Sequence, residues 1–66
     1  MKPGDKVTYL PNNEKGIVKS ISRVEGYVFV VYKCDENWKN YYNYTGASTR
    51  ISDLKLGWPK EEENDK

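Results

Sequence analysis

Within the stretch from Gly26 to Cys34, β-branched and aromatic residues form an unbroken run over residues 27–32, in a chain that otherwise mixes polar and apolar positions. Two alternating sets make up this run, namely Val28, Val30 and Tyr32 in one and Tyr27, Phe29 and Val31 in the other. A run of β-branched and aromatic residues that is apolar on both sets is typical of a strand covered on both faces. We therefore predict a central strand over residues 27–33. We assign the first set to the core, so a loop, the chain's own tail or a partner must cover the second set.

Shorter patterns on either side of this run predict four more strands. They cover residues 6–10, 17–24, 41–44 with a continuation over 47–51, and 56–58. Turn residues such as Pro11 and Gly26 separate them. Ser52 and Asp53 predict one short 3-10 turn that directs Leu54 into the core. With no amphipathic helix of useful length, the pattern predicts an all-β chain of five strands.

The second predicted strand does not alternate cleanly. Val18 and Ile21 are three positions apart, which places them on opposite faces of a flat strand. A bulge near residues 19 and 20 would bring both inward. The alternative is a regular strand in which Ile17 and Ile21 face the core while Val18 and Val24 point outward. The bulged interpretation gives a core of Val7, Tyr9, Val18, Ile21, Val28, Val30, Tyr32, Leu54 and Leu56.

The apolar pattern and the charge both change near Trp58, the last apolar side chain. Residues 1–58 carry nine Lys and Arg against six Asp and Glu, a net charge of +3, whereas residues 59–66 carry two against four, a net charge of −2. We therefore predict one domain over residues 1–58 and an acidic, disordered tail over residues 59–66.

Four segments together resemble the SH3-like small barrels of the KOW and Tudor type. They are Pro-Gly-Asp-Lys-Val-Thr-Tyr at 3–9, Gly-Ile-Val-Lys-Ser-Ile at 16–21, Tyr-Val-Phe-Val-Val-Tyr at 27–32 and Ser-Asp-Leu-Lys-Leu at 52–56. Those families commonly show a Gly-Asp-x-Val strand, a Gly-x-Val-x-x-Ile strand, a Val-x-Val-aromatic strand and a Ser-x-Leu turn before the closing strand. The resemblance implies a five-stranded SH3-like barrel. Such barrels bind RNA, DNA, peptides, methylated tails and other proteins. Residues 41–50 are longer and more aromatic than the family pattern requires.

The residue inventory argues against catalysis. The chain has no histidine, and its single Cys34 therefore has no imidazole partner. We expect no enzyme activity, no metal site and no cofactor. No apolar run approaches the roughly 20 residues that span a bilayer, and the first residues lack a signal peptide's hydrophobic region. A single cysteine cannot form an internal disulfide, which fits a reducing compartment, so we expect a cytoplasmic protein without membrane contact.

Aromatic residues cluster between positions 27 and 44, interleaved with cations, and predict a binding surface. The candidate partner-binding residues are Tyr27, Phe29, Val31, Trp38, Tyr41, Tyr42 and Tyr44. Aromatic rings dominate protein interfaces, so a protein or peptide is the first expected partner. Rings beside cations also stack bases and hold phosphates, so RNA or single-stranded DNA is the alternative. The candidate phosphate contacts are Lys19, Lys33, Lys39 and Arg50.

Two further hypotheses concern the same rings. The Tudor resemblance implies a cage for a methylated lysine or arginine, with Tyr9, Tyr32 and Tyr44 as conceivable members, although two of these are also assigned to the core. The outward set of the central strand would be covered most simply by a second copy of the chain if no loop folds over it. The sequence therefore leaves monomer and homodimer open.

Overall fold

The computed structural model describes residues 1–34 and 38–59, which form one antiparallel sheet of five strands. The strands are β1 (Lys6–Tyr9), β2 (Glu14–Ile21), β3 (Tyr27–Val31), β4 (Ala47–Arg50) and β5 (Leu54–Leu56). Their spatial order is β4-β3-β2-β1-β5. Two 3-10 turns, Tyr41–Asn43 and Ile51–Asp53, are the only helical elements within the described residues. The all-β prediction with five strands is confirmed.

Three element predictions are wrong in position. β2 covers Glu14–Ile21 rather than residues 17–24, because Glu14 and Lys15 already pair with β1. Residues 41–44 do not form a strand, because Asn43 N donates to Asn40 O and Tyr44 N to Tyr41 O, which closes the segment into a 3-10 turn. The last strand begins at Leu54 rather than at residue 56, since the predicted 3-10 turn ends at Asp53. Gly57 then takes a positive φ of 91°, a conformation that favours glycine and ends the strand. Of the predicted tail, residues 60–66 lie outside the described residues.

The bulge predicted in the second strand is present. Val18 pairs with Val30 and Ile21 pairs with Val28, with a register shift between Val18 and Ser20. Residues directly opposite in an antiparallel pair share a face, so the extra residue brings Val18 and Ile21 to the same face despite their odd spacing. The regular-strand alternative, which turned Val18 outward, is wrong because that side chain is fully buried.

The core lies on one face of the curled sheet, which we call the inner face. It contains Val7, Val18, Val28, Val30 and Leu54, with Tyr9 and Tyr32 packed against it. Two predicted core residues are exposed instead, Ile21 at 52% and Leu56 at 60%. Each is the last residue of its strand, and β5 is also an edge of the sheet, so neighbouring side chains cannot enclose them.

The opposite, outer face is covered by the chain itself. Ile17 and Val31 are directly opposite each other on this face, and both are buried. Trp58 Nε1 donates to Gly16 O at 2.9 Å, which places the indole on the outer face beside Ile17. The Trp38 ring lies 5.1 Å from the Trp58 ring, centroid to centroid. Val31, which we predicted as a partner-binding residue, is only 1% exposed and must be removed from that surface.

Candidate functional site

An open cleft of about 440 Å³ lies at the β4 edge of the sheet and is lined by residues of both faces. Its lining residues are Tyr9, Tyr27, Tyr32, Ala47, Ser48, Thr49, Arg50 and Asp53. The fold brings them together from the end of β1, both ends of β3, the whole of β4 and the 3-10 turn that follows it. We call this the tyrosine cleft. Three aromatic walls with hydroxyl and charged groups at the rim are typical of a binding site rather than of a sealed core.

Tyr9 and Tyr32 form the inner wall of the tyrosine cleft. Their ring centroids are 5.7 Å apart and their planes meet at 64°, an edge-to-face arrangement that aromatic rings favour. The hydroxyl groups of Tyr32 and Thr49 are hydrogen bonded at 2.8 Å. Thr49 Oγ1 is also within hydrogen-bond distance of Ala47 O, at 3.1 Å, so the wall is tied to β4. Both rings are half-buried and continue the hydrophobic core out to the cleft.

The electrostatic character of the cleft is set by nearby carboxylates and one guanidinium group. Burial raises the pKa of Tyr32 above its ordinary value of 10.0, and the negative fields of the Glu14 and Asp53 carboxylates raise it further, against the opposing effect of the Thr49 hydrogen bond. Tyr32 is therefore neutral at physiological pH and acts as a hydrogen-bonding group. At the rim, Arg50 Nη2 approaches Tyr27 Oη at 3.5 Å, and the Arg50 guanidinium lies 5.9 Å from the Tyr27 ring centroid.

The predicted partner-binding residues do not form one surface. Only Tyr27 reaches the tyrosine cleft. Trp38 packs on Trp58. Phe29 packs closely against Gly46, because a Cβ added at Gly46 would lie only 2.9 Å from Phe29 Cβ. Tyr41, Tyr42 and Tyr44 lie in or beside the first 3-10 turn, with Tyr42 the most exposed of the three.

The predicted phosphate contacts are likewise separated. Lys19 Nζ donates to Tyr44 O at 2.6 Å, so this ammonium group holds the 3-10 segment against β2. Arg50 belongs to the tyrosine cleft. Lys33 and Lys39 are exposed in the connection between β3 and β4.

A different lysine cluster surrounds Trp58 on the outer face. Lys6 Nζ lies 4.7 Å and Lys15 Nζ 5.3 Å from the Trp58 ring centroid, within the range of cation–π attraction. Thr8 lies opposite Lys15 on β2 and opposite Lys55 on β5, so Lys55 shares this face. This cluster could not be predicted from the sequence. Its members come from three strands, and the sequence pattern does not determine how those strands pair.

Tyr9 and Tyr32 were predicted mainly as core residues, and also as conceivable members of a cage for a methylated lysine or arginine. The signal was the residue type itself. A tyrosine at the end of an apolar alternating set needs a partner or water for its hydroxyl group, which places it at the margin of a core rather than at its centre.

Comparison of this chain with protein-family models, with curated proteins and with solved structures gives no match. Within residues 1–34 and 38–59, no three cysteine or acidic side chains converge as metal ligands would. None of the helical segments that the structure describes has the length and apolar character needed to cross a membrane.

Proposed function

We propose that this protein is a non-enzymatic binding module that holds a protein or peptide segment in the tyrosine cleft. The observation that carries the proposal is the convergence of Tyr9, Tyr27 and Tyr32 around an open cleft of about 440 Å³. Tyrosine offers a large apolar contact area together with a hydroxyl group, and it is enriched among residues that dominate binding energy. The outer face is a weaker candidate because Val31 is buried and Trp38 packs on Trp58.

Features of the fold also support the resemblance to SH3-like barrels that the sequence suggested. The strand order β4-β3-β2-β1-β5, the bulge in β2 and the 3-10 turn between β4 and β5 all fit the arrangement that the resemblance implies. Barrels of this type act mostly through bound partners, which agrees with a binding role. The cytoplasm is the compartment that we propose, on the basis of a single cysteine, Cys34.

Selection from a phage-displayed library of random peptides tests the proposed site. We expect the wild-type chain to enrich peptides, and Tyr9→Ala to abolish that enrichment. The double variant Tyr42→Ala, Tyr44→Ala removes exposed rings away from the cleft and serves as the matched control, which should enrich the same peptides. Enrichment that survives Tyr9→Ala and disappears in the double variant would place the site on the first 3-10 turn and contradict the proposal.

A second candidate function, binding of single-stranded nucleic acid, is favoured by the lysine cluster around Trp58. Lys6, Lys15 and Lys55 share the outer face with one indole ring, which combines phosphate contacts with a stacking platform. The intrinsic tryptophan fluorescence should then change on titration with mixed-sequence single-stranded RNA or DNA. The affinity should fall steeply with salt, by about 0.7 in the log–log slope for each phosphate contact. Lys6→Gln with Lys55→Gln should make the slope shallower, and an unchanged fluorescence at low salt excludes this candidate.

A further inference from the structure

The outer edge of β4 lies beside the tyrosine cleft, and it presents backbone groups that the sheet does not use. Ile51 N donates to Gly26 O at 2.8 Å, which identifies Ile51 and Gly26 as a hydrogen-bonded pair in the β3–β4 ladder. Hydrogen-bonded and non-hydrogen-bonded pairs alternate along an antiparallel ladder. The pairs of Arg50 with Tyr27 and of Ser48 with Phe29 are therefore non-hydrogen-bonded. The N–H and C=O groups of Ser48 and Arg50 point away from β3.

These two residues offer two donors and two acceptors along one edge, with the spacing of an extended chain. β4 is the last strand on its side of the sheet, so within the described residues no further strand pairs with it. Two N–H and two C=O groups in alternation match the hydrogen-bonding groups of another extended backbone.

We propose that β4 binds an extended peptide segment by strand addition, with one basic side chain of that peptide held in the tyrosine cleft. This inference rests on the proposed function, because it specifies how the cleft takes its partner. Antiparallel addition forms the more stable ladder. Ser48 and Arg50 then exchange hydrogen bonds with two peptide residues, and the peptide residue between them lies opposite Thr49.

The position opposite Thr49 determines what enters the cleft. Directly opposite residues share a face of the sheet, and Thr49 is buried on the face where its hydroxyl group meets Tyr32. The central peptide side chain is thus directed towards Tyr9 and Tyr32. Asp53 lines the same cleft, and the fields of Asp53 and Glu14 both act on the Tyr32 hydroxyl. Arg50 also lines the cleft, but it pairs with Tyr27 across the ladder and therefore lies on the face opposite to that of Thr49. On the Thr49 face, the aromatic walls and the nearby carboxylates favour a lysine or arginine side chain over an acidic one.

The neighbouring peptide position is specified by Arg50. The residue opposite Arg50 lies one position before the basic residue, because the peptide runs antiparallel to β4. A glutamate or aspartate there faces a guanidinium group directly across the ladder, which is a favourable pair. The preferred peptide order is therefore acidic, then basic, in the N-to-C direction. If the two residues are exchanged, the basic side chain lies opposite Arg50 and the acidic side chain enters the cleft beside Asp53, so both contacts join like charges.

The backbone at Arg50 allows a sharp test. Its φ is −70°, within the range that proline imposes, and its N–H points outward, so Arg50→Pro removes one edge donor without breaking the β3–β4 ladder. Arg50→Ala is the matched control, since it removes the same side chain and keeps the N–H. The probe is the blocked peptide Thr-Val-Glu-Lys-Val-Thr, and the control peptide has Glu and Lys exchanged. Circular dichroism verifies that both variants remain folded.

We expect the probe to shift the amide resonances of Ser48 and Arg50 in ¹⁵N–¹H spectra of the wild-type chain, and to slow their hydrogen exchange. Arg50→Pro should bind it about tenfold more weakly than Arg50→Ala, which corresponds to loss of one hydrogen bond at an occupied edge. The control peptide should bind more weakly than the probe. Equal affinity of the two Arg50 variants, with shifts at Tyr9 and Tyr32 alone, overturns strand addition and leaves the proposed function intact.

Two other outcomes are also decisive. No shift at any cleft resonance with either peptide up to about 1 mM overturns this inference. The proposed function is judged separately, because the peptide library selection above does not depend on the edge or on this motif. Protection of the Ser48 and Arg50 amides that rises with protein concentration in the absence of peptide would identify a second copy of the chain as the occupant, and would also overturn the inference.

Discussion

Gly16 shows how closely single residues fit in this core. A Cβ at this position would lie 2.6 Å from Val30 Cγ1 and 3.0 Å from Tyr32 Cδ1, both shorter than ordinary van der Waals contact. The β2 strand can therefore pass Val30 and Tyr32 only because residue 16 has no side chain.

Gly16→Ala should lower the free energy of unfolding by about 1 to 3 kcal/mol, the usual range for overpacking a core. Urea denaturation followed by circular dichroism measures the change. Ser48→Ala, at an exposed position of β4, is the control and should leave the transition midpoint nearly unchanged. A midpoint for Gly16→Ala equal to that of the wild type would show that the β2–β3 contact is looser than described.

Tyr32 links the core to the cleft and gives the protein a defined response to alkaline pH. Its pKa is raised in the folded state, chiefly by burial, so the folded chain holds the phenolic proton more tightly than the unfolded chain. The resulting stabilisation is complete below the unfolded pKa of about 10 and is lost as the pH rises through the folded pKa.

Stability should therefore fall above about pH 10, and Tyr32→Phe should make that fall shallower because no proton can be lost at this position. At neutral pH the same variant should be destabilised by about 0.5 to 1.5 kcal/mol, since the hydrogen bond to Thr49 is removed. Denaturation curves at several pH values measure both effects. Tyr42→Phe, at a ring that is 60% exposed, should follow the wild-type pH profile, and identical profiles for both variants would contradict the role assigned to Tyr32.

At the scale of the elements, the sequence predicted the features that depend on local pattern. Alternation identified β1, an unbroken apolar run identified β3, and the odd spacing of Val18 and Ile21 identified the bulge in β2. Local pattern cannot report which strands become neighbours, so it could not show that Trp58 returns to Gly16 and lies beside Lys6 and Lys15. The strand predicted over residues 41–44 was wrong for a related reason. The aromatic content of this segment suits a strand, but no described strand pairs with it, and the segment forms a 3-10 turn instead.

The candidate site was predictable in kind but not in place. Aromatic enrichment indicated a binding surface, and Tyr27 and Arg50 do meet at the cleft. The remaining cleft residues come from strands that are distant in sequence, such as Tyr9 in β1 and Asp53 before β5. These residues converge because β5 pairs with β1. The alternation of apolar and polar residues along the sequence does not predict which strands pair.

The segment after β5 acts as a structural cover for the outer face. Trp58→Phe keeps an aromatic ring and removes the N–H that donates to Gly16 O, so we expect a loss of about 1 kcal/mol in the free energy of unfolding. Trp58→Ala should cost more, because it also exposes the apolar surface beside Ile17. Urea denaturation measures both, with Tyr42→Ala as a control of little effect. Equal stabilities for Trp58→Ala and the wild type would show that the indole does not cover this face.

For the whole molecule, the covered outer face determines the expected oligomeric state. A homodimer would be the simplest cover for an exposed stripe of Tyr27, Phe29 and Val31, but Val31 is buried and Trp58 lies on the same face of the same chain. Within the described residues, two short edges stay open: β4, with four residues including a charged Arg50, and β5, with three residues including Lys55. Short, charged edges associate weakly with one another.

We therefore expect a monomer of 7.7 kDa from micromolar to millimolar concentration, measured by sedimentation equilibrium. The thermal midpoint should likewise be independent of protein concentration, because no association then contributes to stability. Arg50→Pro, which removes an edge donor, serves as the control and should give the same mass. A mass that doubles with concentration in the wild type and not in Arg50→Pro would assign the edge to self-association, whereas doubling in both would show that the outer face is still an interface.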